Sequence, residues 1–92
     1  MAAVIWSPVA ATQLEAIVDY IEQFNPVAAR RLAERLIAVA DGLRDYPDRG
    51  CPVGEGGREL VVVRPYVILY QVRAATVEIL TIRHAARLPD GA

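Results

Sequence analysis

Three runs of β-branched, aliphatic and aromatic residues follow one another in the last third of the chain, and they constrain its fold more than any other feature. The runs cover residues 58–63, 66–73 and 76–83. Each has the composition of a strand that packs one side against a core. Only two short breaks, at Arg64-Pro65 and Ala74-Ala75, separate them. The pattern therefore predicts three antiparallel strands joined by tight turns.

Two pairs of a capping residue and a proline predict two helices in the first half of the chain. Ser7-Pro8 places a side-chain acceptor and a proline at a helix start, and Asn25-Pro26 repeats the arrangement. Because the second pair follows the first helix almost directly, the two helices are predicted to form an antiparallel hairpin.

The remaining segments complete an α+β architecture. Residues 3–6 have the composition of a short strand, and Asp45-Tyr46-Pro47 is predicted to end the second helix. Residues 47–57 contain six Gly and Pro residues and are predicted to form an irregular loop. The predicted order is β-α-α-β-β-β, in a single domain over residues 1–92.

Apolar residues lie on the predicted helices in separate stripes. One stripe is predicted on the first helix and two on the second, where a larger stripe lies beside a smaller, alanine-rich one. Two stripes on one helix need two surfaces to pack on, so one of them is predicted to face a partner in part. The stripes are Ala10, Leu14, Ile17, Val18 and Ile21; Leu32, Leu36, Val39 and Leu43; and Ala29, Ala33, Ile37 and Ala40.

Composition excludes several classes of protein. Hydrophobic residues make up 54% of the 92, which predicts an apolar patch covered by another chain. A net charge of -1 argues against a protein that coats nucleic acid with its whole surface. The single cysteine, Cys51, allows no internal disulfide or multi-cysteine metal site. No apolar run approaches the ~18 residues of a membrane span, so we expect no direct membrane contact. We also expect a cytoplasmic protein that uses neither a metal nor a cofactor.

The ordered combination of these features resembles the RelE/ParE superfamily of type II toxins, most of all its ParE branch, over nearly the whole chain. The residues that carry the resemblance are Trp6-Ser7, Tyr20-Ile21, Asn25-Pro26, Ala28-Ala29, Leu43 to Pro47, Gly50, Arg58-Glu59-Leu60, Tyr66, Tyr70 and Arg83-His84-Ala85-Ala86-Arg87.

The resemblance implies a toxin that arrests growth and is neutralised by a ParD-like antitoxin in a hetero-oligomer. ParE-type toxins are associated with DNA gyrase, so nucleic acid is contacted only through the target complex. RelE-type toxins instead cut mRNA in the ribosome. The same fold therefore leaves two target classes, a gyrase inhibitor that is not an enzyme and a metal-independent endoribonuclease. A toxin-fold protein that has lost activity and persists as a binding module is the third hypothesis.

Site residues follow from the resemblance. A nuclease would use Arg58 and Arg83 to hold phosphate and His84 as acid or base, but the chain has no Lys and no Tyr after His84. A gyrase inhibitor would present Arg58, Arg83, His84 and Arg87 to its target. The antitoxin is expected to cover apolar helix positions, namely Leu14, Ile17, Ile21, Ala33, Ile37 and Ala40.

Each candidate also has a purely structural interpretation. His84 can end a strand by bonding to nearby backbone, and Arg58 can bridge to Glu78 or another acid across the sheet. Arg83 and Arg87 are expected to be exposed, since they lie close to the end of the chain. Tyr66 and Tyr70 are predicted to pack against a helix.

Overall fold

A computed structural model describes residues 3–61 and 65–85 of the chain. Two helices lie against one face of a five-stranded sheet. The helices are α1, Pro8–Glu22, and α2, Pro26–Gly42. The strands are β1, Ala3–Trp6; β2, Cys51–Val53; β3, Gly57–Leu60; β4, Tyr66–Arg73; and β5, Thr76–His84. The predicted α+β class and the helical hairpin are confirmed.

The sheet has the strand order β1-β5-β4-β3-β2. β1 runs parallel to β5, and the other neighbours are antiparallel. The predicted β4–β5 hairpin is confirmed, with Ala74 in the left-handed region at φ 50° in its turn. One prediction was wrong, because residues 47–57 are not irregular throughout but contain β2 and the first residue of β3.

Three predicted boundaries also shift. The first strand of the predicted meander begins at Gly57 and ends at Leu60 instead of residue 63, and residues 62–64 lie outside the described part of the chain. The last strand continues to His84. α2 ends at Gly42, and residues 43–45 form a turn.

Both helices begin at the predicted caps. The Ser7 side chain accepts a hydrogen bond from the Ala10 N–H at 3.0 Å, and the Asn25 side chain accepts one from the Ala28 N–H at 3.0 Å. In each helix a proline follows the cap, where its missing N–H costs nothing.

The core lies between the helices and one face of the sheet. Its largest fully buried side chains come from α2, the turn that follows it, β4 and β5, and they are Leu36, Leu43, Ile68, Tyr70, Val77, Ile79 and Ile82. The two stripes predicted on α2 share one core in part. Leu36 of the larger stripe and Ala40 of the alanine-rich stripe belong to that core, and Ala29 is also buried. Ile37 of the alanine-rich stripe is 41% exposed.

Candidate functional site

A cleft of about 540 Å³ lies between α1 and the adjoining ends of β4 and β5. Its walls combine the apolar side of α1 with the strand end that holds the candidate catalytic histidine. It is lined by Gln13, Ala16, Ile17, Tyr20, Ile21, Tyr66, Ile82, Arg83 and His84. Two candidate antitoxin residues, Ile17 and Ile21, and two candidate target residues, Arg83 and His84, therefore line the same cleft.

The wall between α1 and β5 is held by polar side chains at the sheet edge. β1 pairs with β5 only over residues 76–79, so the rest of that edge is covered differently. The Ser7 hydroxyl donates to the Leu80 carbonyl at 2.9 Å, and the side-chain amide oxygen of Gln13 accepts from the Ile82 N–H at 2.8 Å. These bonds replace a neighbouring strand and fix α1 against β5.

A register irregularity in the β4–β5 ladder determines which β5 side chains face the helices. Leu69 pairs with Thr81 but Tyr70 pairs with Ile79, which leaves Leu80 as the extra residue. A bulge of this kind changes the alternation of side chains along a strand. As a result, Val77 and Ile79 face the core before the bulge, and Ile82 does so after it.

His84 forms one wall of the cleft. It pairs with Tyr66 across the β4–β5 ladder, and the two rings meet edge to face with centroids 5.4 Å apart and planes at 82°. Such a contact restricts both rings. Tyr66 also packs against the core, as predicted, so the His84 ring contacts an aromatic side chain that is itself held in place.

Arg83 directs its guanidinium to the opposite face of the sheet. It forms an ion pair with Glu59 of β3, and the two side chains are 36% and 27% exposed. The expectation that Arg83 would be exposed needs correction, because this pairing half-buries it. Arg87 lies outside the described residues.

Arg58 holds the loop that precedes β2. Its guanidinium donates to the carbonyls of Asp48 at 3.1 Å and Gly50 at 2.7 Å. The predicted alternative of an ion pair with Glu78 was wrong, since Glu78 accepts a hydrogen bond from Gln71 at 2.7 Å instead. Arg58 therefore supports the fold at this position.

Tyr70 anchors the same loop from inside the core. Its hydroxyl donates to the Pro47 carbonyl and accepts from the Gly50 N–H, both at 2.8 Å. Together, Tyr70 and the Nη1 group of Arg58 fix residues 47–50 to the sheet.

The structure does not assemble Arg58, Arg83 and His84 into one centre. Arg58 and Arg83 lie on strands separated by β4, and their guanidinium groups bind acceptors on opposite faces. Only His84 has its ring on the helix side of β5, beside Tyr66.

The apolar residues predicted for antitoxin binding are distributed between core and surface. Leu14 and Ile17 pack against the core, while Ile21 and Ala33 are half-buried. Ile37 is 41% exposed. Ala40 is fully buried and belongs to the intramolecular core, so we leave it out of the proposed binding surface.

A second apolar row on α1 was missed in the sequence. Val9, Ala16 and Tyr20 are exposed at intervals of seven and four, a spacing that keeps them on one side of α1, and the exposed Phe24 follows in the turn after the helix. We call them the α1 stripe. Tyr20 and Phe24 touch edge to face at 5.4 Å, and Tyr20 also lines the cleft. The sequence shows this spacing, but Val9, Tyr20 and Phe24 are not among the residues predicted to bind the antitoxin.

No cluster of His, Cys, Asp and Glu suited to a metal ion occurs in residues 3–61 and 65–85. Cys51 is exposed on β2. Within the same described ranges, neither helix has the length and apolar character needed to cross a membrane.

Comparison with protein families shows the family to which the chain belongs. Residues 4–89 match the family described as the ParE toxin of the type II toxin-antitoxin system parDE. The chain belongs to this family of toxins. The RelE/ParE resemblance is thereby confirmed. Because toxins of a type II toxin-antitoxin system are paired with an antitoxin, family membership implies an antitoxin partner.

Individual relatives agree with the family. The chain is 54% identical over 88 residues to "Toxin RelE2" of Caulobacter vibrioides, a match that covers 96% of this chain and 100% of the relative. It is 40% identical over 82 residues to "Putative toxin Y4kP" of Sinorhizobium fredii, with 87% and 84% covered.

A solved structure shares the fold. It belongs to a chromosomal ParDE toxin-antitoxin system from P. aeruginosa and superposes with a TM-score of 0.80 at 24% identity, over 91% of this chain and 96% of the other. At this identity the likeness supports the architecture alone.

Proposed function

We propose that this ParE-family toxin arrests growth by inhibiting DNA gyrase in the cytoplasm, as a binding protein and not as a nuclease. The observation that carries this proposal is the separation of Arg58, Arg83 and His84. Metal-free RNA cleavage needs a base, an acid and a cation converging on one phosphate. Here the Arg58 guanidinium donates to loop carbonyls and the Arg83 guanidinium pairs with Glu59 on the opposite face of the sheet, so the two cations do not converge on one phosphate.

The proposed target contacts are Arg83 on the face of the sheet opposite the helices and His84 on the cleft side, together with Arg87 from the residues that the structure does not describe. Arg58 was predicted to join them, and we propose instead that it supports the loop through its two bonds to the Asp48 and Gly50 carbonyls. Loss of toxicity on replacing Arg58 would therefore accompany a loss of stability.

The proposed antitoxin surface consists of the cleft and the α1 stripe. Both are apolar, and they share Ala16 and Tyr20. An amphipathic ParD-like segment with anchors at helical spacing would bury the stripe and place one side chain between Ile21 and Tyr66. Ile37 on α2 adds a further exposed apolar position.

The order in which macromolecular synthesis stops tests the target. Labelled thymidine and a labelled amino acid would be supplied during the first minutes after the toxin is induced without antitoxin. We expect thymidine incorporation to fail first, because stalled gyrase stops replication directly. Earlier failure of amino-acid incorporation would overturn the proposal.

A ribosome-dependent mRNA endoribonuclease is the second candidate. It is favoured by the name of the 54% identical relative, "Toxin RelE2", and by the position of His84 on an accessible cleft. Primer extension on mRNA from induced cells would reveal cuts at fixed codon positions. The absence of such cuts would remove this candidate. Harmless expression with retained antitoxin binding would instead indicate an inactive binding module.

A further inference from the structure

The ion pair between Glu59 and Arg83 spans three strands on the face of the sheet opposite the helices, which we call the open face. Glu59 on β3 pairs with Leu69, and Arg83 on β5 pairs with Val67, both on the intervening strand β4. Since successive side chains alternate, all four lie on the side opposite Ile68 and Tyr70. The pair therefore crosses β4 diagonally.

The pairing leaves the guanidinium of Arg83 only partly satisfied. Its Nη2 contacts the Glu59 carboxylate, while its Nε is buried and has no hydrogen-bond acceptor among the described residues. A guanidinium carries five N–H donors in a planar fork, so one carboxylate contact leaves donors for a further acceptor. The side chain as a whole is 36% exposed, so it is only partly covered by the described residues.

A fixed guanidinium is a better binding group than a mobile one. Ordering a long side chain when a partner arrives opposes association, and a contact that orders it beforehand removes part of that cost. The surroundings of Arg83 fit this role, because Val67 beneath the pair is buried and the strands on both sides are hydrogen-bonded to β4.

We propose that Glu59 is a positioning residue for target contact. It holds the guanidinium of Arg83 on the open face so that the remaining donors meet a carboxylate or carbonyl oxygen of a protein target. This inference rests on the proposed function, in which the target is a protein. It assigns Glu59 a role in toxicity that its acidic charge alone would not suggest.

If Glu59 instead shielded Arg83, removing it would change toxicity in the opposite direction. If the carboxylate shielded Arg83 from its target, removing it would free the cation and increase toxicity. If it positions Arg83, removing it decreases toxicity although the net charge of the surface becomes more positive. A single substitution therefore separates the two.

The test is a double-mutant cycle of Glu59→Ala and Arg83→Ala, read as the inducer level that gives half-maximal growth inhibition without antitoxin. We expect each single variant to raise the required expression by about tenfold, and the double variant to lose no more than Arg83→Ala alone, because the two residues act as one unit. Unchanged or increased toxicity in Glu59→Ala would overturn the inference, as would losses that multiply in the double variant.

A charge swap separates positioning from structural support. Glu59→Arg combined with Arg83→Glu restores an ion pair across β4 but removes the guanidinium from position 83. We expect the swapped protein to bind antitoxin like the wild type and to remain as harmless as Arg83→Ala. Recovery of toxicity in the swap would mean that the pair matters only for folding, which contradicts the inference.

Glu78→Ala is the matched control. Glu78 lies on the same open face and bonds to Gln71, away from Arg83, so its loss should leave toxicity unchanged. Each variant would also be checked for antitoxin capture and for the melting temperature of the toxin-antitoxin complex. A harmless wild type overturns the proposed function and the inference together, whereas a toxic wild type with independent Glu59 and Arg83 effects overturns the inference alone.

Discussion

At the scale of single residues, Gly50 has the least room for a side chain among the glycines that the structure describes. A Cβ there would lie 2.8 Å from the Glu59 carbonyl oxygen and 2.8 Å from the Tyr70 hydroxyl, closer than real Cβ contacts. We expect Gly50→Ala to lower the free energy of unfolding by about 1–3 kcal/mol, because the loop must move away from backbone and from a buried ring. Gly42→Ala is the control, since its nearest neighbour would be the Arg49 side chain at 3.9 Å. Urea unfolding compares them, and equal midpoints would contradict the prediction.

Residue roles were predictable where they depend on local sequence. The caps Ser7 and Asn25 were recognised because a cap acts on the backbone three residues ahead. The role of Arg58 was not, because its acceptors are loop carbonyls eight and ten residues away, and nothing in their sequence marks them. Arg83 was assigned to the surface from its place near the chain end, whereas its burial comes from Glu59 on another strand.

At the scale of elements, the two helix caps differ in what else they hold. Among the described residues, the exposed Asn25 side chain bonds only to the Ala28 N–H, while the Ser7 side chain also donates to the Leu80 carbonyl at the β5 bulge. We expect Asn25→Ala to cost about 1 kcal/mol, and Ser7→Ala to cost about 2 kcal/mol because it also removes the donor to that half-buried carbonyl. Thermal unfolding of both variants checks the order. A larger loss from Asn25→Ala would mean that the Ser7 bond to β5 contributes little.

Helices and long strands were predictable as elements, but the sheet's edges were not. α1, α2, β4 and β5 carry periodic apolar patterns that stand out against their surroundings. β2 has only three residues, and the central one, Pro52, cannot donate to a ladder. It forms because the loop clamped by Arg58 and Tyr70 brings it beside β3. The parallel pairing of β1 with β5 likewise depends on how the helical hairpin returns the chain.

At the scale of the whole molecule, apolar residues remain exposed on the side that holds the cleft. Tyr20 and Phe24 are 61% and 72% exposed, which is unusual for adjacent aromatic side chains in a chain that acts alone. The high hydrophobic content predicted this excess but not its position, because Leu14 and Ile17 were assigned to the antitoxin surface and the structure packs them against the core.

This exposure predicts that the isolated toxin self-associates and that the antitoxin suppresses it. Phe24→Asp should weaken both processes, since a charge in the α1 stripe opposes burial by either partner. We expect light scattering of the isolated chain to fall and antitoxin affinity to drop by about tenfold or more. Tyr46→Asp is the control, because Tyr46 is 67% exposed but follows α2, outside the stripe. If both variants weakened antitoxin binding equally, the antitoxin would cover a broader surface than the stripe and cleft. A wild-type chain that stays monomeric without antitoxin would show that Tyr20 and Phe24 tolerate solvent, and the antitoxin surface would then have to be sought elsewhere.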